Sequence, residues 1–483
     1  MLRPATGPAY LGQIAEATVE EREGPELNLE GDIGLGLDPT VVKVATTSLR
    51  LRVSALRGGG AILAAHDAGE WRAPTRDDVF DNAAVAAAEP TAVAAYFDRW
   101  AAGRAALEIG RLIGGSEARL ATAGFGRHTF LCGQSGSGKT YALGVILERL
   151  LLETRLRLAI LDPNGDYVRL GDMRSYADLA QGFGASYTPE TDAALRARYH
   201  AAATDLRVFR AEATGDDAAR LRFSELAPEV QAMVLRLDPI RDRDEVHAFR
   251  RIVDRLGTTS YTLADVRAAA AAELSADTYQ VALRIDNLGV GDWAVWAGAD
   301  QADLGERATR GVRGAVFDTG GFESPQEGSL LALAVLNTLW RRREERKPIL
   351  IVIDEAHNIC PAEPADDIQA AATARTIQIA GEGRKFGIYL MLATQRPQKL
   401  HPNVLSQADN LILMRVNSSA DLDRLGEVFS FVPREMLDQS TGFRQGETLL
   451  AGSFAPAPMF ARIGVRLSPE GGGDVPAGWA RQR

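Results

Sequence analysis

Eight consecutive residues, GQSGSGKT at 133–140, have the types and order of a loop that wraps a polyphosphate. Gly133, Gly136 and Gly138 let the chain bring backbone N–H groups against an anion, with Gln134, Ser135 and Ser137 between them. Lys139 would reach the terminal phosphates, and the Thr140 hydroxyl would ligate magnesium. A helix must follow directly, because its N-terminus adds favourable partial charge. A glycine turn can match such a pattern by chance. Here an apolar run, HTFLCG, precedes the loop and an amphipathic one, KTYALGVILERLLLE, follows it, so the expected ligands are ATP and Mg2+.

A bound triphosphate also needs a carboxylate on the metal's water shell and a group that orients the attacking water. ILIVIDEAH at 349–357 supplies both at the end of an apolar run: Asp354 for the metal, with Thr140, and Glu355 for the water. A glutamate directly after the aspartate favours hydrolysis over transfer to a second substrate, which argues against a small-molecule kinase. Acids that end an apolar strand are also common as plain surface punctuation.

Three further segments carry candidates, each with a plainer competitor. In LMLATQRP, Gln395 would sense the γ-phosphate, or the segment is a turn enforced by Pro397. In EGRKFG, Arg384 would stabilise charge on a neighbouring subunit's ATP, or it is a favourable cation at a helix C-terminus. In LDPNGDY, Asp162 or Asp166 would join the magnesium shell or orient water, or the segment is an ordinary turn. His128 and His357 are expected to be structural, and no Cys/His spacing suggests zinc.

Positioning these residues requires a parallel α/β sheet. Apolar runs at 128–133, 156–162, 314–320, 348–354, 388–395 and 410–416 read as buried strands, with helical patterns at 328–345, 365–382 and 420–429 separating several of them. Residues 96–170 and 311–467 form the expected core, with 110–127 a connector carrying a short strand and 446–467 two closing strands. Between them, 171–310 reads as a mainly helical insertion, with helices near 225–236, 243–256 and 263–274. Residues 1–95 form an expected β-rich domain of short alternating runs, such as 41–56, separated by turns such as Gly58 to Gly60. The stretch 468–483 reads as a tail.

The chain has 483 residues, ample for a buried core, and 54 basic against 64 acidic side chains give a net charge of -10. Its average surface therefore repels nucleic acid and acidic membranes, and a polyanion must be held by a local patch. Two cysteines exclude a disulfide framework, and both lie in apolar surroundings as expected of a reducing compartment. The first residues lack the charge and apolar core of a leader, and no run approaches the roughly 18 apolar residues of a membrane span, so a cytoplasmic location without membrane attachment is expected.

Taken together, GRHTFLCGQSGSGKTYALGVILE, AILDPNGDY, ILIVIDEAHNICP and GEGRKFGIYLMLATQRPQKLHPNVLSQADNLILMRV resemble the HerA branch of the FtsK/HerA translocase superfamily, over about residues 110–467. The resemblance implies a RecA-like P-loop core, a small β-barrel before it and a helical bundle inserted within it. It also implies a hexameric motor on double-stranded DNA, often with a nuclease partner, and relatives of this kind serve in phage defence with other effectors. By this similarity Lys139 and Thr140 bind phosphate and magnesium, Asp354 and Glu355 catalyse, Gln395 senses, and Arg384 projects across a subunit boundary. The family's turn usually has His and Glu where this chain has Asn164 and Asp166.

Two functions of different class follow. One is a ring-shaped ATP-driven DNA translocase whose local basic residues, among 236–255 and near Lys399, contact phosphates. Runs such as RDRDEVHAFRR more often mark a solvated helix face. The other is an ATP-binding scaffold ring that assembles and activates an effector without productive translocation.

Overall fold

The computed structural model describes residues 1–4, 7–28, 48–67, 70–75, 77–78, 83–257, 260–273, 275–298, 304–309 and 312–471. The chain divides into two compact units, residues 1–96 with 433–436, and the remainder.

The described residues of the first unit form an antiparallel sheet in the order β4-β3-β2-β1-β5, with β1 (Leu2–Arg3), β2 (Ala9–Asn28), β3 (Ser48–Asp67), β4 (Glu70–Arg72) and β5 (Ala84–Val85). It departs from the expected short runs, because β2 and β3 are strands of 20 residues that pair with each other. Gly58, Gly59 and Gly60 lie inside β3 opposite Ala17, Glu16 and Ile14, not in a turn. A Cβ on Gly60 would sit 2.1 Å from the Gln13 carbonyl oxygen, so close backbone approach selects glycine there. Gly24 and Pro25 fall at a register shift between Glu23 and Glu26, an irregularity of the kind to which proline is confined in sheets. Of the alternating run at 41–56, residues 41–47 lie outside the described residues.

In the second unit one sheet runs β10-β11-β9-β12-β13-β8-β14-β15-β16-β6-β7. Its strands are β6 (Ala106–Leu112), β7 (Glu117–Ala121), β8 (His128–Cys132), β9 (Arg157–Asp162), β10 (Leu206–Phe209), β11 (Gly314–Asp318), β12 (Ile349–Ile353), β13 (Ile388–Thr394), β14 (Ala408–Leu413), β15 (Glu447–Gly452) and β16 (Met459–Ile463). From β10 to β14 all neighbours are parallel, and from β14 to β7 all are antiparallel. The unbroken apolar runs of β8 and β12 follow from burial on both faces. Helix Lys139–Glu153 packs Leu143, Ile146, Leu147 and Leu150 into a core shared with Ile160, Val352, Met391 and Ile412. Each such buried side chain contributes roughly 1.5–3 kcal/mol, so packing more than helix propensity fixes this element. This is an α/β fold with a RecA-like core, in which β13 separates the loop-bearing strand β8 from the acid-bearing strand β12.

Two expectations change. Residues 110–127 supply part of an antiparallel strand pair, β6 and β7, instead of a connector with one strand. Within the expected helical insertion, β10 pairs in parallel with β11 at the sheet edge. Helices Pro228–Val234, Arg243–Leu256 and Leu263–Ala272 fall where the 3.6-residue spacing places them, and the described residues of the insertion also hold helices Tyr176–Phe183, Pro189–Ala203 and Ala276–Leu288, which that spacing did not mark. Among the described residues no helix is long and apolar enough to cross a membrane, and Cys132 and Cys360 are both free and buried.

His128 opens β8 and holds its neighbours. Its Nδ1 accepts the Leu390 N–H at 2.9 Å, which leaves Nε2 to donate to the Ala380 carbonyl at 2.9 Å. Burial pushes its pKa down from 6.5 to about 4, so it stays neutral when folded. The unfolded chain therefore binds the extra proton between those values, and stability that is complete above pH 6.5 falls as pH drops toward 4, by about 3 kcal/mol in all. His128→Gln keeps one donor and one acceptor without the titration. Thermal melts from pH 7 to pH 4 are expected to fall less steeply for the variant than for the parent.

Candidate functional site: a phosphate loop facing a buried acidic pair

The parallel strands end together. Cys132 of β8 is level with Thr394 of β13 and Leu413 of β14, and Ile353 of β12 is level with Leu392 of β13 and Leu161 of β9. The segments that follow, with Gly133, Asp354, Gln395, Arg415 and the turn after Asp162, therefore converge on one carboxyl edge, where open α/β sheets bind ligands.

Residues 133–138 form the loop between β8 and helix Lys139–Glu153, whose first residues are Lys139 and Thr140. Gly136 and Gly138 have φ of +73° and +92°, a conformation that strains other residues. Gly133 has no room for a side chain, since a Cβ would lie 2.6 Å from Ser137 Oγ and 2.8 Å from Met414 Cβ. Neighbouring strands pin the loop: the Gln134 N–H donates to the Arg415 carbonyl at 2.9 Å and the Gly446 N–H to the Ser137 carbonyl at 3.0 Å. Ser135 and Gly136 form its exposed crown. Among the described residues Ser137 Oγ is buried without a hydrogen-bond partner, and Gly138, the N-cap of the helix, brings no side chain to cap it. An orphaned hydroxyl and uncapped first-turn N–H groups are what an anion would complete.

Lys139 points from the helix into the acidic pair. Its ammonium pairs with Asp354 Oδ1 and lies 3.1 Å from Glu355 Oε1, with all three side chains buried. Burial alone would lower the lysine pKa; the charges of Asp354 and Glu355 outweigh it and hold the group protonated. For Glu355 burial pulls upward, but Lys139, the Gln395 amide and His357 together keep the carboxyl below its ordinary range.

The backbone turns sharply at this pair. Glu355 has φ +42° and ψ +49°, a strained left-handed conformation for a residue with a side chain. Its Oε1 accepts the Gln395 amide at 2.8 Å, and its Oε2 lies 3.3 Å from His357 Nδ1, which is 2.9 Å from Thr394 Oγ1. Gln395 thus bears directly on the glutamate. Asp354 accepts the Glu355 N–H on Oδ1 at 2.8 Å and the Tyr167 hydroxyl on Oδ2 at 3.2 Å.

The turn after β9 divides its acids. Asp162 accepts the backbone N–H groups of Asn164, Asp166 and Tyr167 at 3.3, 3.0 and 2.8 Å, so its carboxylate shapes the turn. Burial pushes its pKa up to about 7 against those donors. The half-buried Asp166 carboxyl is raised by burial first and then by the charge of Asp354.

Behind the turn lies a support that the spacing of motifs did not reveal. Arg466, fully buried, donates to the Asp166 carbonyl at 3.0 Å and the Thr140 carbonyl at 3.5 Å, and stacks over the Tyr167 ring. Glu148, on the loop's own helix, accepts the N–H groups of Leu467 and Ser468 at 2.8 and 2.7 Å. Ser468 is buried, and the Gly471 N–H donates to the Asp166 carbonyl at 3.2 Å. Residues 468–471, expected as the start of a tail, are thus packed onto the core, because the buried Glu148 carboxylate requires their donors.

Arg384 is not brought to this edge. It sits in Gly383–Phe386, just before the amino end of β13, and pairs with Asp409 at 2.8 Å, as Arg127 does at 3.5 Å. From the opposite edge of the sheet it cannot serve the loop of its own chain.

The assembled groups can cradle a polyphosphate, set an ammonium beside it, and hold an ionised glutamate in fixed orientation. Thr140 and Asp354 suit magnesium, which takes most of its ligands from phosphate and water.

The family described as Helicase HerA, central domain, matches residues 107–281. The DNA double-strand break repair helicase HerA of Pyrococcus furiosus is 32% identical over 116 residues, 24% of this chain and 20% of the relative. A probable DNA double-strand break repair helicase HerA of Methanocaldococcus jannaschii is 30% identical over 129 residues, 27% of this chain and 25% of the relative. This chain therefore spans only about a fifth to a quarter of the length of those relatives. Among solved structures, VirB4 of Thermoanaerobacter pseudethanolicus aligns with TM-score 0.49 at 15% identity, over 74% of this chain and 96% of that one. Over residues 107–281, therefore, this chain is similar to the central domain of the HerA helicases.

Proposed function

We propose that this chain is a magnesium-dependent ATPase that couples hydrolysis to movement along double-stranded DNA, working as a homo-oligomeric ring, expected to be a hexamer. The observation that carries the reading is the buried Lys139 ammonium between Asp354 and Glu355, with Gln395 on the glutamate. In this reading the loop N–H groups and Lys139 bind the phosphates, and Thr140 and Asp354 orient the metal shell. Magnesium supplies charge neutralisation between the terminal phosphates. Glu355 takes the proton of the attacking water, and Gln395 fixes the glutamate's orientation.

Duplex DNA as the track is suggested by the names of the HerA relatives. A nuclease or another effector, in DNA end processing or phage defence, is the partner class that fits such a motor. An Arg384 serving the neighbouring copy's nucleotide fits a ring, since it lies at the sheet edge away from its own loop. The basic run at 236–255 gives less support for DNA contact: Arg251 and Arg255 both pair with Glu273, at 3.1 and 3.3 Å.

Phosphate release with and without duplex DNA tests the proposal. DNA is expected to raise turnover several-fold at low salt, and the stimulation should fade as salt rises, because phosphate contacts release counterions. Turnover indifferent to duplex DNA, with no binding at low salt, would overturn the translocase reading. If Glu355→Gln also left effector activation intact, the ring would be a scaffold.

A further inference from the structure

Arg415 follows β14, the strand beside β8 on the side away from β12 and β13. Its carbonyl anchors Gln134, and its guanidinium reaches back over the loop's crown: a Cβ built on Gly136 would lie 3.8 Å from Arg415 Nη2. Its Nε is buried without a hydrogen-bond partner, and no acid pairs with it among the described residues. Asp421, whose Oδ1 is also buried without a partner, forms no ion pair with it.

An arginine cannot shed its proton to escape this position. It lies against a loop whose N–H groups and helix N-terminus are themselves electropositive, so cation and loop repel unless an anion lies between them. Lys139, by contrast, is already compensated by Asp354 and Glu355.

We infer that Arg415 is an in-chain phosphate-binding residue that closes the loop on the flank opposite the hydrolytic groups. The inference rests on the proposed nucleotide site and deepens it. Glu355 and Gln395 approach from the β12 and β13 side and Arg415 from the β14 side, so Arg415 grips the phosphate chain without acting on the attacking water. It therefore contributes to the affinity for ADP as well as ATP.

The test measures binding of fluorescent ADP and ATP analogues to the full chain, without magnesium to prevent turnover, alongside kcat and KM with magnesium. Arg415→Gln is expected to weaken both nucleotides about 10- to 100-fold, the range of a charge-assisted hydrogen bond, and to raise KM for ATP in step. Arg415→Lys should recover part of the affinity. Affinities within twofold of the parent would overturn the inference, and an accompanying drop in melting temperature would make Arg415 a structural residue of the loop's anchor. Selective loss of ATP affinity would overturn the flank assignment and make the residue a terminal-phosphate reader. A parent chain that binds neither nucleotide, with Lys139→Ala indistinguishable from it, would overturn the ATPase reading itself and Arg415's role with it.

Discussion

Glu355→Gln is expected to lower the rate of ATP hydrolysis about 10²- to 10⁴-fold while leaving nucleotide affinity within a few-fold, the span attributable to a positioned general base. The substitution preserves shape. A glutamine oxygen can still accept the Gln395 amide that Glu355 Oε1 takes at 2.8 Å, and Lys139 keeps its pairing with Asp354. What disappears is the carboxylate kept ionised by Lys139, Gln395 and His357, and with it the group able to take a proton from water. The strained φ of +42° at this position supports the assignment, because such strain is kept where surrounding structure enforces a needed orientation. Single-turnover phosphate release and equilibrium binding with the same nucleotide separate the two quantities. A hydrolysis rate within tenfold of the parent would show that another group activates the water.

The core was readable from sequence where a residue's partners are set by local order. The runs of β8, β9, β12 and β13 announce parallel strands because burial on both faces removes alternation, and the loop at 133–140 and the pair at 354–355 follow from spacing along one segment. β10 was missed because its four residues at a sheet edge carry little periodic signal. The hairpin of β2 and β3 was read as short runs because glycines usually end strands, whereas Gly60 sits in one to let the Gln13 backbone approach. Arg415, Arg466 and Glu148 are isolated in sequence, and only the path of the sheet sets them against the loop. Tyr167 had a signal, as the last residue of LDPNGDY, but its bond to Asp354 spans 187 positions. Arg384 was recognised as a cation near motifs, while the distinction between the two sheet edges required the topology.

Lys139→Ala is expected to remove detectable nucleotide binding and to destabilise the folded chain as well. The first effect follows from the loop: N–H groups that cradle phosphates still leave the terminal charges without their ammonium, and a lost charge-assisted contact in a buried site weakens binding strongly. The second follows from the acidic pair. Asp354 and Glu355 are 0% and 6% exposed, and Lys139 is the cation in contact with both. Removing one partner from a buried ionic group typically costs roughly 3–5 kcal/mol, because the remaining charge is left uncompensated. The two effects can be separated by adding Asp354→Asn. The double variant carries one buried carboxylate in place of two, so its melting temperature should recover toward that of the parent, whereas nucleotide binding should remain absent. Thermal melts and equilibrium binding on the parent, the single variant and the double variant supply the comparison. A Lys139→Ala chain that binds ATP within tenfold of the parent would remove the lysine from the phosphate site. A double variant no more stable than the single one would mean that the carboxylates are compensated by the hydrogen bonds of Tyr167, Gln395 and the Glu355 backbone alone.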